Sequence, residues 1–116
     1  MVKKGFYNEY WELIDCGGGI GRFCKQVLLP VFEEVDLVDQ NPLFIEEAKQ
    51  LLGEFPSMKE YYVSGLQDFE FRHKYDCIWI QWVSGQLVDD DYIKFLERCR
   101  KALTEKVIMK FFGWQR

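Results

Sequence analysis

A glycine-rich segment between an apolar stretch and a helical pattern constrains the fold of this chain more than any other feature. Residues 13–22 read LIDCGGGIGR. The apolar start is typical of a buried strand, and glycines at the following turn remove the Cβ atoms that would keep a ligand away from the backbone. An acidic residue, Asp39, ends the next predicted strand. Together, the loop and the acid predict an α/β sheet that binds an adenosine-bearing cofactor.

Strand and helix patterns alternate along the rest of the chain. Strands are predicted at residues 12–16, 35–39, 61–63, 75–82 and 107–112. Helices are predicted at residues 20–32, between Asn41 as N-cap and Gly53 as C-cap, and from Asp89 onward. Pro30 is expected to bend or end the first of them. This alternation predicts a parallel sheet with helices on both faces.

Composition excludes several function classes. The 116 residues fit one domain, and 48% of them are hydrophobic, which is enough for a core. The net charge of −4 gives no basic footprint for nucleic acid. The four cysteines form no CxxC pair and are expected to be reduced core residues, so neither a zinc site nor a disulfide framework is predicted. No membrane span or signal peptide is predicted either, and a cytoplasmic or nuclear location is expected.

The glycine spacing separates two classes of cofactor. A dinucleotide site needs G-x-G-x-x-G, whereas Gly17, Gly19 and Gly21 give G-x-G-x-G and Arg22 occupies the third fingerprint position. Such a loop suits a cofactor with an amino-acid tail and no phosphate, because Arg22 can pair with a carboxylate. Asp39 can accept hydrogen bonds from both ribose hydroxyls. These residues favour S-adenosylmethionine.

Four segments extend this interpretation to a family. Residues 13–22, the pair at 38–39, residues 65–69 (GLQDF) and residues 78–82 (IWIQW) together resemble the eukaryotic protein α-N-terminal methyltransferases. The resemblance implies a Rossmann-like class I methyltransferase fold, a three-layer α/β/α sandwich with strand order 3-2-1-4-5. It also implies S-adenosylmethionine as cofactor and methyl transfer to the α-amine of proteins that begin Xaa-Pro-Lys. The implied partner is therefore a protein N-terminal peptide, with no nucleic acid, membrane or metal.

Carried over position by position, the resemblance also implies site residues. The cofactor set is Gly17, Gly19, Arg22, Asp39, Gln40, Asn41, Leu66, Gln67 and Gln81. Gly17 and Arg22 are implied at the methionine portion, and Asp39 at the ribose. Leu66 and Gln67 are implied at the adenine, Gln81 at the methionine portion, and Trp82 in the peptide channel. A buried amide such as that of Gln81 is costly without partners, which independently favours a binding role.

The chain departs from the family pattern in its substrate half. Gln86 stands where the family carries a His, and a Gln cannot act as a base near neutral pH. No catalytic residue is assigned for this reason. Phe111 and Phe112 follow Lys110 where the family has an Asp-Asn pair, and the sequence ends at Arg116, so a single truncated domain is expected. A cofactor-binding regulatory protein and a small-molecule methyltransferase remain as alternatives.

Overall fold

Five parallel strands form one sheet in the order β3-β2-β1-β4-β5. The structure, a computed structural model, describes residues 10–81 and 89–112, without the side chains of residues 81, 89 and 106–112. The strands are β1 (Glu12–Cys16), β2 (Glu34–Asp39), β3 (Met58–Val63), β4 (Tyr75–Gln81) and β5 (Leu103–Phe112). This topology confirms the predicted strand order.

Helices cover both faces of the sheet, as predicted. Helix α1 (Pro42–Leu52) buries Ile45, Ala48 and Leu52 in a core cluster that also contains Leu13 and Cys77. Helix α2 (Asp89–Lys101) buries Phe95 and Cys99 in a second cluster with Ile14 and Ile78. Neighbouring residues of β1 and β4 therefore enter opposite cores, which explains why these strands are apolar on both faces. The sandwich has three layers.

The helix predicted at residues 20–32 is present but shorter, covering residues 22–28, and most of it is a π-helix. A π-helix spans only Cys24–Leu28, and the Leu29 N–H donates to the Cys24 carbonyl at 2.9 Å. Leu29 still has helical angles, and Pro30 ends the segment because it has no N–H with which to continue the hydrogen-bond ladder. The apolar periodicity was present, but the proline prevents the second half of the pattern from continuing as a helix.

The remaining elements agree with the sequence patterns apart from their bounds. Strand β3 begins at Met58 rather than residue 61, and β5 begins at Leu103 rather than residue 107. Asn41 caps α1 as predicted, since its side chain accepts from the Leu43 N–H at 2.9 Å. The four cysteines are free and buried. No helix in the described ranges combines the length and the apolar character needed to cross a bilayer.

The register of the strands determines which residues meet at the edge of the sheet. Cys16 at the end of β1 is paired with Val38 of β2 and with Ile80 of β4. The next residues along the chain are Gly17, Asp39 and Gln81. Because the strands are parallel, these three positions lie side by side at the carboxyl edge of the sheet, where α/β folds bind their ligands.

Candidate functional site

The glycine loop follows β1 directly and takes a conformation that requires glycine. Gly17, Gly19 and Gly21 have positive φ angles of 78°, 62° and 91°. Other L-residues adopt this region only with strain. The N–H groups of Gly17 and Gly18 both donate to the Val38 carbonyl, at 2.8 and 3.1 Å. The loop is therefore tied to the end of the neighbouring strand.

Two of these glycines have different surroundings and serve different purposes. A Cβ atom at Gly21 would come within 2.7 Å of Leu52 Cδ1, so this glycine allows α1 to pack closely against the loop. No heavy atom lies within 4 Å of the Cβ position at Gly19, which leaves that part of the backbone open. Gly21 thus serves the packing role expected of the third fingerprint glycine, although the motif is one residue short.

Asp39 holds two loops together at the carboxyl edge. Its Oδ2 accepts from the Gly19 N–H and its Oδ1 from the Asn41 N–H, both at 2.9 Å. The carboxylate is half-buried, and each oxygen can accept a further hydrogen bond. Asp39 therefore presents two oriented acceptors beside the open backbone of Gly19, an arrangement suited to a vicinal diol.

The loop of residues 64–69 begins beside Asp39. The Ser64 N–H donates to the Asp39 carbonyl at 3.0 Å, which brings this loop to the same edge of the sheet. Leu66 is buried and Gln67 is exposed. The structure thus brings the predicted ribose residue and the predicted adenine residues together through one backbone hydrogen bond.

The other predicted site residues are placed less completely. Gln40 is exposed and follows Asp39 at the edge. Arg22 is exposed and lines a cavity of about 290 Å³ with Glu47 and Gln50 of α1. Gln81 ends β4 at the carboxyl edge, but its side chain lies outside the described residues, as do Trp82 and Gln86 entirely. The roles implied for these residues stay predictions.

Asp15 is a candidate site residue that the sequence reasoning missed. It lies on β1 immediately before Cys16 and is 2% exposed. Its Oδ2 is buried and has no hydrogen-bond partner within residues 10–81 and 89–112. Burial, with a smaller contribution from the negative charge of Asp39, raises the pKa of Asp15 to about 7. The signal in the sequence was a carboxylate in an otherwise apolar strand, where an ionisable group is rare unless it has a function.

The residues present fit S-adenosylmethionine. Asp39 can accept from the ribose hydroxyls, and the open backbone at Gly19 leaves room for the atoms of a ligand. The Asp39 carboxylate, joined by Asp15 at pH values above its pKa of about 7, gives this edge negative charge, which favours a cation such as a sulfonium or an ammonium. No cluster of three or more metal-ligating side chains is found in the part of the chain that the structure describes.

A separate cavity of about 580 Å³ borders the loop of residues 64–69 without reaching the glycine loop. Its lining includes Tyr62, Ser64, Asp68 and Arg72, but neither the glycine loop nor Asp39. The positive φ angles and the fixed Asp39 carboxylate are specific structural features, whereas this cavity is a surface depression with no comparable arrangement. The carboxyl edge is therefore the better candidate site.

Comparison with known sequences connects these features to one family. The family described as "AdoMet dependent proline di-methyltransferase" matches residues 2–111. An α-N-terminal protein methyltransferase 1 from Dictyostelium discoideum is 52% identical over 98 residues, which are 83% of this chain and 36% of the relative. An N-terminal Xaa-Pro-Lys N-methyltransferase 1 from Danio rerio is 51% identical over 78% of this chain and 41% of the relative. The chain thus spans about two fifths of the length of such curated relatives.

Solved structures agree with the fold. A SAM-dependent methyltransferase from Leishmania major superposes with a TM-score of 0.83 at 32% identity, covering 89% of this chain and 42% of that one. The N-methyltransferase NodS from Bradyrhizobium japonicum, in complex with S-adenosylhomocysteine, gives a TM-score of 0.79 at 19% identity, covering 87% of this chain and 51% of that one. The second likeness shows the shared fold alone.

Proposed function

Since the chain belongs to the AdoMet-dependent proline di-methyltransferase family, we propose that it takes part in methyl transfer from S-adenosylmethionine to the α-amino group of protein N-termini that begin Xaa-Pro-Lys. The observation that carries the cofactor half of this proposal is the Asp39 carboxylate, held by the N–H groups of Gly19 and Asn41. When bound, the cofactor supplies an electrophilic methyl group on a sulfonium.

Each part of the carboxyl edge has a role in this proposal. Asp39 accepts from the ribose hydroxyls, and the loop at Leu66 and Gln67 borders the adenine. The backbone at Gly17 and Gly19 makes room for the methionine portion, whose carboxylate pairs with Arg22. Asp15 adds negative charge behind the loop, which favours the cationic centre of the cofactor electrostatically.

The substrate side of the proposal rests on the family resemblance. The α-amine of a protein N-terminus has a pKa of about 7.7–8.0, so a large fraction is already neutral and nucleophilic slightly above neutral pH. In-line transfer then depends mainly on holding the amine and the methyl group in the correct geometry. Trp82 is the residue proposed to line the peptide channel.

A direct test uses labelled S-adenosylmethionine and a peptide that begins Xaa-Pro-Lys. The expected result is one or more methyl groups on the α-amine, located by fragment mass spectrometry. The matched control peptide has the same sequence with an acetylated N-terminus and should stay unlabelled. Label on an internal side chain, or on a small amine but not the peptide, would contradict the proposed substrate class.

A second candidate is a cofactor-binding protein that does not transfer the methyl group. Gln86 favours it, because an amide at the position of the family's His cannot take a proton from the substrate. Calorimetry with S-adenosylhomocysteine distinguishes the two functions. Binding to the chain without any methylated peptide would support this second candidate and contradict the first.

A further inference from the structure

The guanidinium of Arg98 on α2 binds the loop that borders the proposed adenine site. Its Nη2 donates to the Leu66 carbonyl at 2.7 Å and to the Gln67 carbonyl at 3.3 Å. Its Nε donates to the Phe69 carbonyl at 3.0 Å. One side chain therefore donates hydrogen bonds to three carbonyls of a single turn, which lie 29 to 32 residues earlier in the sequence.

The chemistry of arginine explains why this residue can hold the turn. A guanidinium is planar, stays charged at any physiological pH, and presents five donors in a fixed fork. Its Cζ lies 5.8 Å from the centroid of the Phe95 ring, which limits its freedom further. Lysine has a single ammonium centre and cannot reach three carbonyls in this spread arrangement with the same geometry.

These contacts determine which backbone groups of the loop stay available for hydrogen bonds to a ligand. The carbonyls of Leu66 and Gln67 are directed to Arg98, and the N–H groups of Asp68 and Phe69 close the turn on Gly65 and Leu66. The N–H groups of Leu66 and Gln67 have no hydrogen-bond partner in the described part of the chain. The turn thus offers donors, rather than acceptors, to a neighbouring ligand.

We propose that Arg98 is a positioning residue for the adenine side of the cofactor site. By holding the carbonyls of Leu66 and Gln67 on α2, it keeps the N–H side of the turn toward the base. Adenine has acceptor nitrogens in its ring, whereas hypoxanthine carries a hydrogen at N1 and an oxygen in place of the amino group. The inference rests on the proposed function, because that function places a cofactor with an adenine here.

The test compares two ligands that differ only in the base. Calorimetry measures the affinity of the unaltered chain and of Arg98→Met for S-adenosylhomocysteine and for S-inosylhomocysteine. The unaltered chain should prefer the adenine ligand. In Arg98→Met this preference should fall by a factor on the order of ten, because a charge-assisted set of hydrogen bonds no longer holds the turn. Arg98→Lys should retain part of the preference.

Three further measurements make the result specific. Arg100→Met removes an exposed arginine two residues along the same helix and should leave both affinities unchanged. Asp39→Ala should weaken both ligands by the same factor, since both carry the ribose. Circular dichroism gives the folded fraction of each variant, and a purely structural role of Arg98 would lower that fraction without changing the ratio of the two affinities.

The outcomes separate this inference from the proposed function. An unaltered chain that binds neither ligand refutes the proposed cofactor and, with it, the role of Arg98. An unaltered chain that binds both ligands equally, or a folded Arg98→Met or Arg98→Lys variant that keeps the full preference for adenine, overturns the inference alone.

Discussion

The sheet buries carboxylates in different ways near the amino ends of its strands, its amino-terminal half, and near their carboxyl ends, its carboxyl-terminal half. In the amino-terminal half, Asp36 accepts from the Glu60 N–H at 3.0 Å and from the Tyr75 hydroxyl. Asp76 accepts from the Glu12 N–H at 2.8 Å and from the Thr104 hydroxyl at 2.6 Å. In the carboxyl-terminal half, Asp15 is equally buried, yet its Oδ2 has no partner among the described residues.

This difference separates a structural role from a functional one. A buried carboxylate with partners on both oxygens links strands together and adds to the stability of the fold. A buried carboxylate with an unpartnered oxygen lowers stability, so its presence at the ligand-binding edge needs another explanation. Asp36 and Asp76 belong to the first kind and Asp15 to the second.

Removing Asp36 should give the largest loss of stability. Asp36→Ala leaves the buried Tyr75 hydroxyl and the Glu60 N–H without their acceptor, and we expect the free energy of unfolding to fall by about 3 kcal/mol or more. Burial, and then the hydrogen bond to Asp36, raise the pKa of Tyr75 well above its usual value, so this phenol donates at any physiological pH. Urea denaturation measures the effect, and a loss below that of the milder Asp36→Asn would contradict it.

Asp15 should make stability depend on pH in the opposite sense from an ion-paired acid. Its pKa is about 7 in the folded state, against an ordinary value of about 3.9, so between these values the folded state binds more protons than the unfolded state. This group therefore lowers stability as pH rises from about 4 to 7, by up to roughly 1.4 kcal/mol per pH unit, and leaves it constant above.

Asp15→Asn tests that dependence because it removes the titration and keeps the size of the side chain. The difference in unfolding free energy between the variant and the unaltered chain should grow in favour of the variant from pH 4 to pH 7. The same variant should bind S-adenosylmethionine more weakly at pH 8, since it lacks the negative charge that favours the sulfonium. A difference that stays constant with pH would show that Asp15 is not the group that titrates.

Asp39→Ala should weaken cofactor binding by about 1–3 kcal/mol, because it removes the acceptors for the ribose hydroxyls in a partly desolvated site. Calorimetry with S-adenosylhomocysteine measures the loss, and Glu54→Ala, at an exposed carboxylate beyond the end of α1, is the matched control. Unchanged affinity would refute the assignment of Asp39 to the ribose.

His73→Gln should have the smallest effect. His73 is half-exposed, and its Nε2 lies 3.5 Å from Asp36 Oδ2 while its Nδ1 lies 3.8 Å from Glu12 Oε1. Pairs with a half-exposed imidazole are ionic only when the ring is protonated, contribute less than about 1 kcal/mol and are screened by salt. Thermal melts in low and high salt should differ less for the variant than for the unaltered chain. A loss of unfolding free energy as large as that of Asp36→Ala would mean that the hydrogen bonds of Asp36 depend on the imidazole.

Local patterns were sufficient to predict the framework of the site. The apolar run of β4 and the cap at Asn41 are encoded within a few neighbouring residues, and both are confirmed. The glycines and Asp39 were identifiable because a turn with positive φ and an acid after the second strand have a recognisable spacing. These features need no knowledge of distant contacts.

The parts that sequence reasoning missed depend on partners far away along the chain. Arg98 meets the turn of residues 66–69 only after α2 has packed on the sheet, and the lack of a partner at Asp15 Oδ2 is visible only once every neighbour is in place. The end of the helix at Pro30 was predicted locally, whereas its π geometry at Cys24–Leu28 was not. No local pattern encodes the distant partners or the π geometry.

The hydrogen bonds that Asp39 makes to Gly19 and Asn41 have a kinetic consequence. They join groups of the chain itself and need no ligand atom, so both loops lose their conformational entropy during folding rather than on binding. The ribose side of the site is preorganised, and the cofactor should associate in a single phase whose rate rises linearly with its concentration. Removing the Asp39 carboxylate should then slow association as well as speed dissociation, because the ligand must order the loops itself.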